Sequence, residues 1–249
     1  MGLPTRWNIV RFNCFYGNNS AGLMLGVTRN YTSCPSDNRI YSNTFYKNGS
    51  ITAELAKALY NDTPSRESTC GLGLAHWSGS RGVAGNAIKN NIFHGNPKPY
   101  GLYKVTLEAQ IVAGNWEEAG DPLFVEEQTP LDPTNPKVPD LRLRPGSPCV
   151  DKGVFLTQVA SPDGSGTVFQ VADAGYFTDG WNIIDGDRIQ LEGSVESARV
   201  MKADYETNTL TLDRPLAWKR NQGVSLPFAG AAPDVGAYEV IPGPAQAGK

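Results

Sequence analysis

Asn8-Ile9-Val10-Arg11-Phe12-Asn13-Cys14-Phe15-Tyr16-Gly17-Asn18 is the stretch on which the fold turns, because the chain writes it again at 38–48 (NRIYSNTFYKN) and 86–96 (NAIKNNIFHGN). All three read N-x-h-x-x-N-x-F-x-x-N, where h is apolar. Val10, Ile40 and Ile88 share one apolar position, Phe15, Phe45 and Phe93 another, and a polar turn at Asn13, Asn43 or Asn91 separates them. That spacing fits neither an amphipathic helix nor a two-residue hairpin. A Gly-Leu strand follows each block, at Gly22-Leu23-Met24-Leu25, Gly71-Leu72-Gly73-Leu74 and Gly101-Leu102-Tyr103-Lys104. Three short strands per repeat predict coils that stack, since one coil cannot bury its apolar row alone and copies about 4.8 Å apart pair every strand above and below. Phenylalanine then lies on phenylalanine. Asparagine at a recurring turn tolerates a left-handed backbone and bonds through its amide to the next asparagine, as in stacked cross-β arrays.

The blocks begin 30 and 48 residues apart, so the coils differ through loops such as 27–37 and 51–69. Within the second loop, 51–60 (ITAELAKALY) is the one helix candidate, read as a lid on the side of the stack. Composition agrees with a turn-rich β protein: 27 Gly and 18 Pro against 3 Met. A net charge of -3 provides no field to draw in nucleic acid or an anionic membrane. No apolar run is long enough to span a bilayer, and MGLPTRWNIV lacks the layout of a signal peptide. Because Asn8 already lies inside a repeat, the natural protein is expected to begin upstream. Cys14, Cys34, Cys70 and Cys149 form no CxxC pair, which argues against zinc-ribbon or redox chemistry. Cys34 and Cys70 flank loops and either pair or remain buried thiols; the sequence leaves both open.

The repeats at 8–105 resemble the pectate-lyase-like superfamily of right-handed parallel β-helices, in particular secreted bacterial members with chondroitinase-B-like or alginate-lyase-like helices. Gly120-Asp121-Pro122-Leu123-Phe124-Val125, the run 140–153 (DLRLRPGSPCVDKG) and Asp234-Val235-Gly236-Ala237-Tyr238-Glu239 are similar to segments that end many such helices. The resemblance implies an all-β, right-handed parallel β-helix solenoid that handles an extracellular polysaccharide, capped over its exposed strand edges. Asp151 and Asp234 are then structural acids, holding backbone N–H groups in glycine-containing turns.

Between Gly153 and Asp234 the chain departs from that pattern. Strand-like alternation at 167–171, 187–191, 198–202, 209–212 and 223–226 predicts a small inserted antiparallel barrel or sandwich. The expected division is 1–153 for the coils and the start of the cap, 154–232 for the module, and 233–249 for the returning cap and tail. Asp173, Asp179, Asp185 and Asp187 are the acids that would hold Ca²⁺, but their spacing is not that of an EF-hand and turn formation explains them more cheaply.

Glycosidases need two carboxylates across the scissile bond. The only aspartates in residues 1–120 are Asp37 and Asp62, both in loops, so hydrolysis is disfavoured. A lyase needs a base beside a uronate carboxylate and a cation to neutralise it. His76, Arg81 and Lys104 are the catalytic candidates; Trp77, Tyr103, Glu54 and Glu67 are the substrate-binding candidates. His94, in the third block's turn, reads as a neighbour of the asparagine ladder. The competing expectation is a non-catalytic recognition or stalk module of the tail-fibre or adhesin type. Partners implied are an extracellular polysaccharide and further copies of the chain along the flanks of the solenoid; no nucleic acid or membrane is implied, and Ca²⁺ at the module acids is the one cofactor the sequence leaves open. The sequons at Asn18 and Asn48 overlap ladder positions and read as ladder residues.

Overall fold

The computed structural model describes residues 6–27, 35–52, 54, 57–58, 68–76, 82–127 and 138–241. The chain is all-β, with two 3₁₀ turns at Ala174–Tyr176 and Gly180–Asn182, and no helix among the described residues is long and apolar enough to cross a membrane. It divides into two compact units, residues 1–150 with 235–240 and residues 151–234 with 241–249.

In the first unit each sequence block supplies one strand to each of three parallel sheets. The first sheet pairs β1 (Ile9–Arg11), β4 (Arg39–Tyr41), β7 (Ala87–Lys89) and β10 (Ile111–Ala113) in that order. The second pairs β2 (Cys14–Tyr16), β5 (Thr44–Tyr46), β8 (Ile92–His94) and β11 (Trp116–Glu117), and the third pairs β3 (Leu23–Val27), β6 (Leu72–His76) and β9 (Tyr100–Tyr103). Register follows the repeat: Val10, Ile40, Ile88 and Val112 share one level in the first sheet, Phe15, Phe45 and Phe93 another in the second. The phenylalanine rings stack at 4.9 and 4.8 Å, tilted by 12° and 5°. Side chains of all three sheets meet in one core containing Ile40, Phe45, Leu72, Leu74, Ile88 and Phe93.

Asparagines bind the rows at the corners. Asn8 Nδ2 donates to Asn38 Oδ1, Asn38 to Asn86, and Asn86 to Gln110 Oε1, at 2.8–2.9 Å. A second column runs Asn13, Asn43, Asn91, Asn115 and a third Asn18, Asn48, Asn96, ending on Glu118. In each step the backbone N–H of the donor residue reaches the same acceptor oxygen, as Asn43 N does to Asn91 Oδ1 at 3.1 Å. The asparagine is not the left-handed residue; the residue before it is. Trp7, Asp37 and Gly85 precede the first column, Phe12, Ser42, Asn90 and Gly114 the second, Gly17, Lys47 and Gly95 the third, and all have φ between 50° and 68°. A left-handed residue turns the chain so that the next side chain points inward, where a buried amide finds partners on both sides.

The structure extends the sequence reading by a further row and departs from it in the register of the third sheet. A fourth row exists: Gln110 and Asn115 take ladder positions, and Glu117 takes the level of Phe93. Its phenylalanine is replaced by a carboxylate, so the motif is unreadable there, and Tyr100 closes the core by donating to Glu117 Oε1 at 2.5 Å. In the third sheet β3 and β6 follow the Gly-Leu alignment, Leu23 facing Leu72, but β9 is offset by two residues, Leu72 facing Tyr100 and Leu74 facing Leu102. A two-residue shift leaves the pleat unchanged, so hydrophobic pattern alone does not set it. Of the helix candidate at 51–60, Glu54, Lys57 and Ala58 are helical, Ile51 and Thr52 are not, and positions 53, 55, 56, 59 and 60 lie outside the described residues.

The segments at 120–126, 140–149 and 235–238 cover a flank of the stack. β12 (Phe124–Glu126) and β13 (Asp140–Leu143) form an antiparallel pair whose Phe124, Leu141 and Leu143 pack with Cys149 and Val235 on Tyr46 and Ile92, the outward side of the second sheet. The 235–238 segment crosses that side: Gly236 N donates to Asn90 O, Ala237 N to Thr44 Oγ1, and Tyr238 meets the Cys14 thiol. A Cβ on Gly236 would come within 2.6 Å of Ile92, and φ there is 110°, so only glycine fits the crossing. Cys70 and Cys149 are buried thiols; Cys34 lies outside the described residues.

The second unit is one six-stranded antiparallel sheet in the order β14 (Thr157–Gln158), β19 (Gly223–Ser225), β16 (Arg188–Leu191), β17 (Ser197–Asp204), β18 (Thr209–Trp218), β15 (Gly164–Gln170). Its two edges are joined by an antiparallel bridge between Val159 and Val171, with Ala160 N on Gln170 O and Ala172 N on Gln158 O at 2.8 Å. The pairing therefore closes on itself around Phe169, Ile189, Val200, Leu210 and Val224. The sequence leaves out β14, whose two residues are too short for alternation to show. Asp151 Oδ1 accepts from Ala231 N, and Asp234 Oδ1 from Asp151 N, both at 2.8 Å, as turn acids do.

Asn43→Ala removes a fully buried amide that donates to Val10 O, Tyr41 O and Asn91 Oδ1, and will cost about 3 kcal/mol in urea unfolding, whereas Asn13→Ala in the exposed first row will cost about 1 kcal/mol. Tyr100 is held well above the usual tyrosine range by burial first, then by the bond and charge of Glu117. A raised folded value means that this contribution is complete below the unfolded tyrosine value of about 10 and is lost as pH climbs past it. Urea midpoints measured across that alkaline range will fall more steeply for the wild type than for Tyr100→Phe.

Candidate functional site

Of the residues singled out from sequence, His76, Tyr103 and Lys104 lie at the C-terminal end of the third sheet. His76 ends β6, and Ala75 faces Tyr103 in β9. Strand pleating puts His76 on the side of the buried Leu72 and Leu74, and Tyr103 on the opposite side with Ala75. His76 Nε2 is buried without a hydrogen-bond partner among the described residues. Lys104 follows the strand at φ 54° and holds its amine 5.4 Å from the ring of Tyr103; both side chains are exposed. Glu54 is exposed, its carboxyl lowered by its own backbone N–H and by Thr52. Trp77, Arg81 and Glu67 lie outside the described residues. Sequence thus locates a lysine–tyrosine pair and an unsatisfied imidazole at one strand end, on two faces.

A second constellation escapes sequence reading. Tyr16, Tyr46 and His94 occupy one level of the second sheet, the last position of each strand, so His94 continues an aromatic column. The rings of Tyr46 and His94 stack at 6.1 Å, and Phe124 of β12 meets both edge-on at 5.8 and 6.0 Å. Anchoring Phe124 brings in the acids on either side of β12. Glu127 Oε1 lies 3.4 Å from His94 Nε2; its Oε2 accepts from Tyr46 OH at 3.0 Å and sits 3.8 Å from Lys47 Nζ. Asp121 approaches from the other flank, its Oδ1 taking the Leu123 N–H at 2.7 Å. Ligand atoms of His94, Asp121 and Glu127 all lie within 4.8 Å of one another. No spacing motif announces this set, because His94 belongs to the repeat and the two acids arrive on a later segment. The sole local signal is the substitution of histidine for tyrosine at the third repeat.

The four module aspartates do not converge. Asp173 caps Gly175 N, Asp179 accepts from Trp181 N and Ala203 N, Asp187 from Thr178 N, and Asp185 pairs with Arg199. Each is committed to a turn or an ion pair of its own. Among the described residues, His94, Asp121 and Glu127 are the one group whose ligand atoms meet.

No protein-family model, curated protein or solved structure matches the chain.

Glu127→Ala takes away the acceptor of Tyr46 and the counter-charge of Lys47, and will lower unfolding stability by about 1–2 kcal/mol. Lys47→Ala, removing a partly exposed ion pair and a cation–π contact with Tyr46, will lower it by less, about 0.5 kcal/mol. Chemical denaturation of the two variants side by side checks the order.

Proposed function

We propose that the chain is a right-handed parallel β-helix of the pectate-lyase-like kind, carrying a small closed β-barrel module, and that it binds an extended extracellular polysaccharide along the flank of its third sheet. Supporting the architecture are the three parallel sheets whose levels follow the sequence repeat, and the ladders that join consecutive rows. The binding reading is carried by one observation: exposed Tyr103 and Lys104 stand together at the end of β9, an aromatic face beside a cation. Tyrosine presents an apolar platform to a sugar ring, and the ammonium answers a uronate carboxylate. β-Elimination is the chemistry such a site would carry, with His76 as base and Lys104 and Arg81 as carboxylate clamp; Trp77, Glu54 and Glu67 would complete the sugar contacts.

A non-catalytic recognition module is the second reading. It is favoured by the pleat, which puts His76 on the opposite side of the sheet from Tyr103, so that base and platform do not share a face. Incubation of the protein with alginate, chondroitin and pectate, followed by ultraviolet absorbance of the unsaturated uronate, separates the two. Product formation abolished by Lys104→Ala supports the lyase; glycan-array binding without product supports the recognition module. Under either reading Tyr103→Ala and Lys104→Ala will each weaken binding about tenfold, equivalent to about 1.4 kcal/mol. Absence of both product and binding across the panel would sink the proposal.

A further inference from the structure

We infer that His94, Asp121 and Glu127 form a binding site for a divalent transition-metal cation of the Zn²⁺ class, which ties the β12 segment to the second sheet. The inference concerns the second sheet, not the third sheet used for sugar binding, and does not depend on that reading. It rests first on donor chemistry. One imidazole and two carboxylates are the mixed nitrogen and oxygen set that borderline divalent cations take, while Ca²⁺ and Mg²⁺ prefer oxygen alone. Two carboxylates also offset the charge of a divalent ion.

Geometry is the second support. In a tetrahedral site with bonds of about 2.1 Å, neighbouring donor atoms are separated by about 3.4 Å. His94 Nε2 and Glu127 Oε1 are already 3.4 Å apart, and every ligand atom of the three lies within 4.8 Å of the others. The exposed Asp121 already holds a carboxylate oxygen within 4.8 Å of the ligand atoms of both residues. Three protein ligands leave a fourth position for water.

The surroundings orient the ligands. Tyr46 OH and Lys47 occupy Oε2 of Glu127, which leaves Oε1 directed at His94. Stacking on Tyr46 and the edge of Phe124 hold the imidazole plane. Outer contacts of this kind fix ligating side chains in metal sites. Asp121 makes no ion pair among the described residues, and its carboxylate lies within 4.8 Å of the Glu127 and His94 ligand atoms. Because Asp121 and Glu127 lie on either side of Phe124, one cation bound to both and to His94 would fasten that strand at two points.

The test uses the untagged full chain, freed of metal with a chelator and titrated with Zn²⁺ by calorimetry, with thermal unfolding followed in parallel. Binding of one Zn²⁺ per chain with a raised Tm is expected. Asp121→Asn and Glu127→Gln, which keep shape and hydrogen bonding, will weaken binding about tenfold or more while far-ultraviolet circular dichroism is unchanged. His94→Gln will remove the nitrogen contribution from the visible spectrum of the Co²⁺-loaded protein. Asp213→Asn, in the other unit, will bind Zn²⁺ as the wild type does. No saturable binding, binding that survives both carboxylate substitutions, or tighter binding of Ca²⁺ than of Zn²⁺ would each overturn the assignment.

Discussion

A buried asparagine at a corner performs several tasks with one side chain, and the first unit depends on it. Asn43 Nδ2 gives hydrogen bonds to Val10 O in the preceding row, to Tyr41 O in its own and to Asn91 Oδ1 in the next, while its Oδ1 receives both the N–H and the Nδ2 of Asn13. Corners are where a coil would otherwise bury unsatisfied peptide groups, since strand pairing falters as the backbone turns. A side chain shaped like a peptide group fills that gap at every row. In a low-dielectric interior such chains of amides reinforce one another, and an interrupted one costs more than a single bond. The ladders end where the amides do. Glu118 closes the third column by accepting from Asn96, and having no amide hydrogen it passes nothing on.

That division of labour frees the residue before each asparagine. It must adopt a left-handed conformation, which costs a non-glycine residue on the order of 1 kcal/mol, but its side chain points away from the core. Trp7 and Phe12 occupy such positions with exposed rings beside Arg6 and Arg11, and Lys47 occupies another beside Tyr46. Interior positions carry the repeat; corner positions carry variety. The chemistry found on the first unit follows the same split, since Lys47 and Lys104 are both left-handed corner residues.

The outward side of the second sheet is built differently from its inward side. Inward lie the phenylalanines, each supported by its own kind. Outward, Tyr46 and Ile92 are as deeply buried, but by Phe124, Leu141, Leu143 and Val235 from segments that share nothing with the repeat. Covering an apolar sheet face with an irregular segment brings polar side chains to the margin of the cover, where they meet what the sheet presents. His94 and Glu127 meet in that way.

The sequence by itself determined the parallel pairing, the phenylalanine stack and the asparagine columns, because stacked rows place identical residues at identical levels and a repeat in one dimension becomes contact in three. It determined that Asp151 and Asp234 serve turns, since an acid beside glycine has backbone N–H groups at hand. Only the tertiary structure decided the two-residue offset of β9 in the third sheet, which preserves the pleat and so leaves no mark on hydrophobic pattern. It alone decided the fourth row, where Gln110 and Glu117 do the work of asparagine and phenylalanine through different atoms. The meeting of His94 with Asp121 and Glu127 was likewise hidden, because it depends on the path of β12 across a sheet face and not on any spacing along the chain. Local pattern encodes what lies at the same level of the stack; what lies against its flank is set by how the later chain folds back.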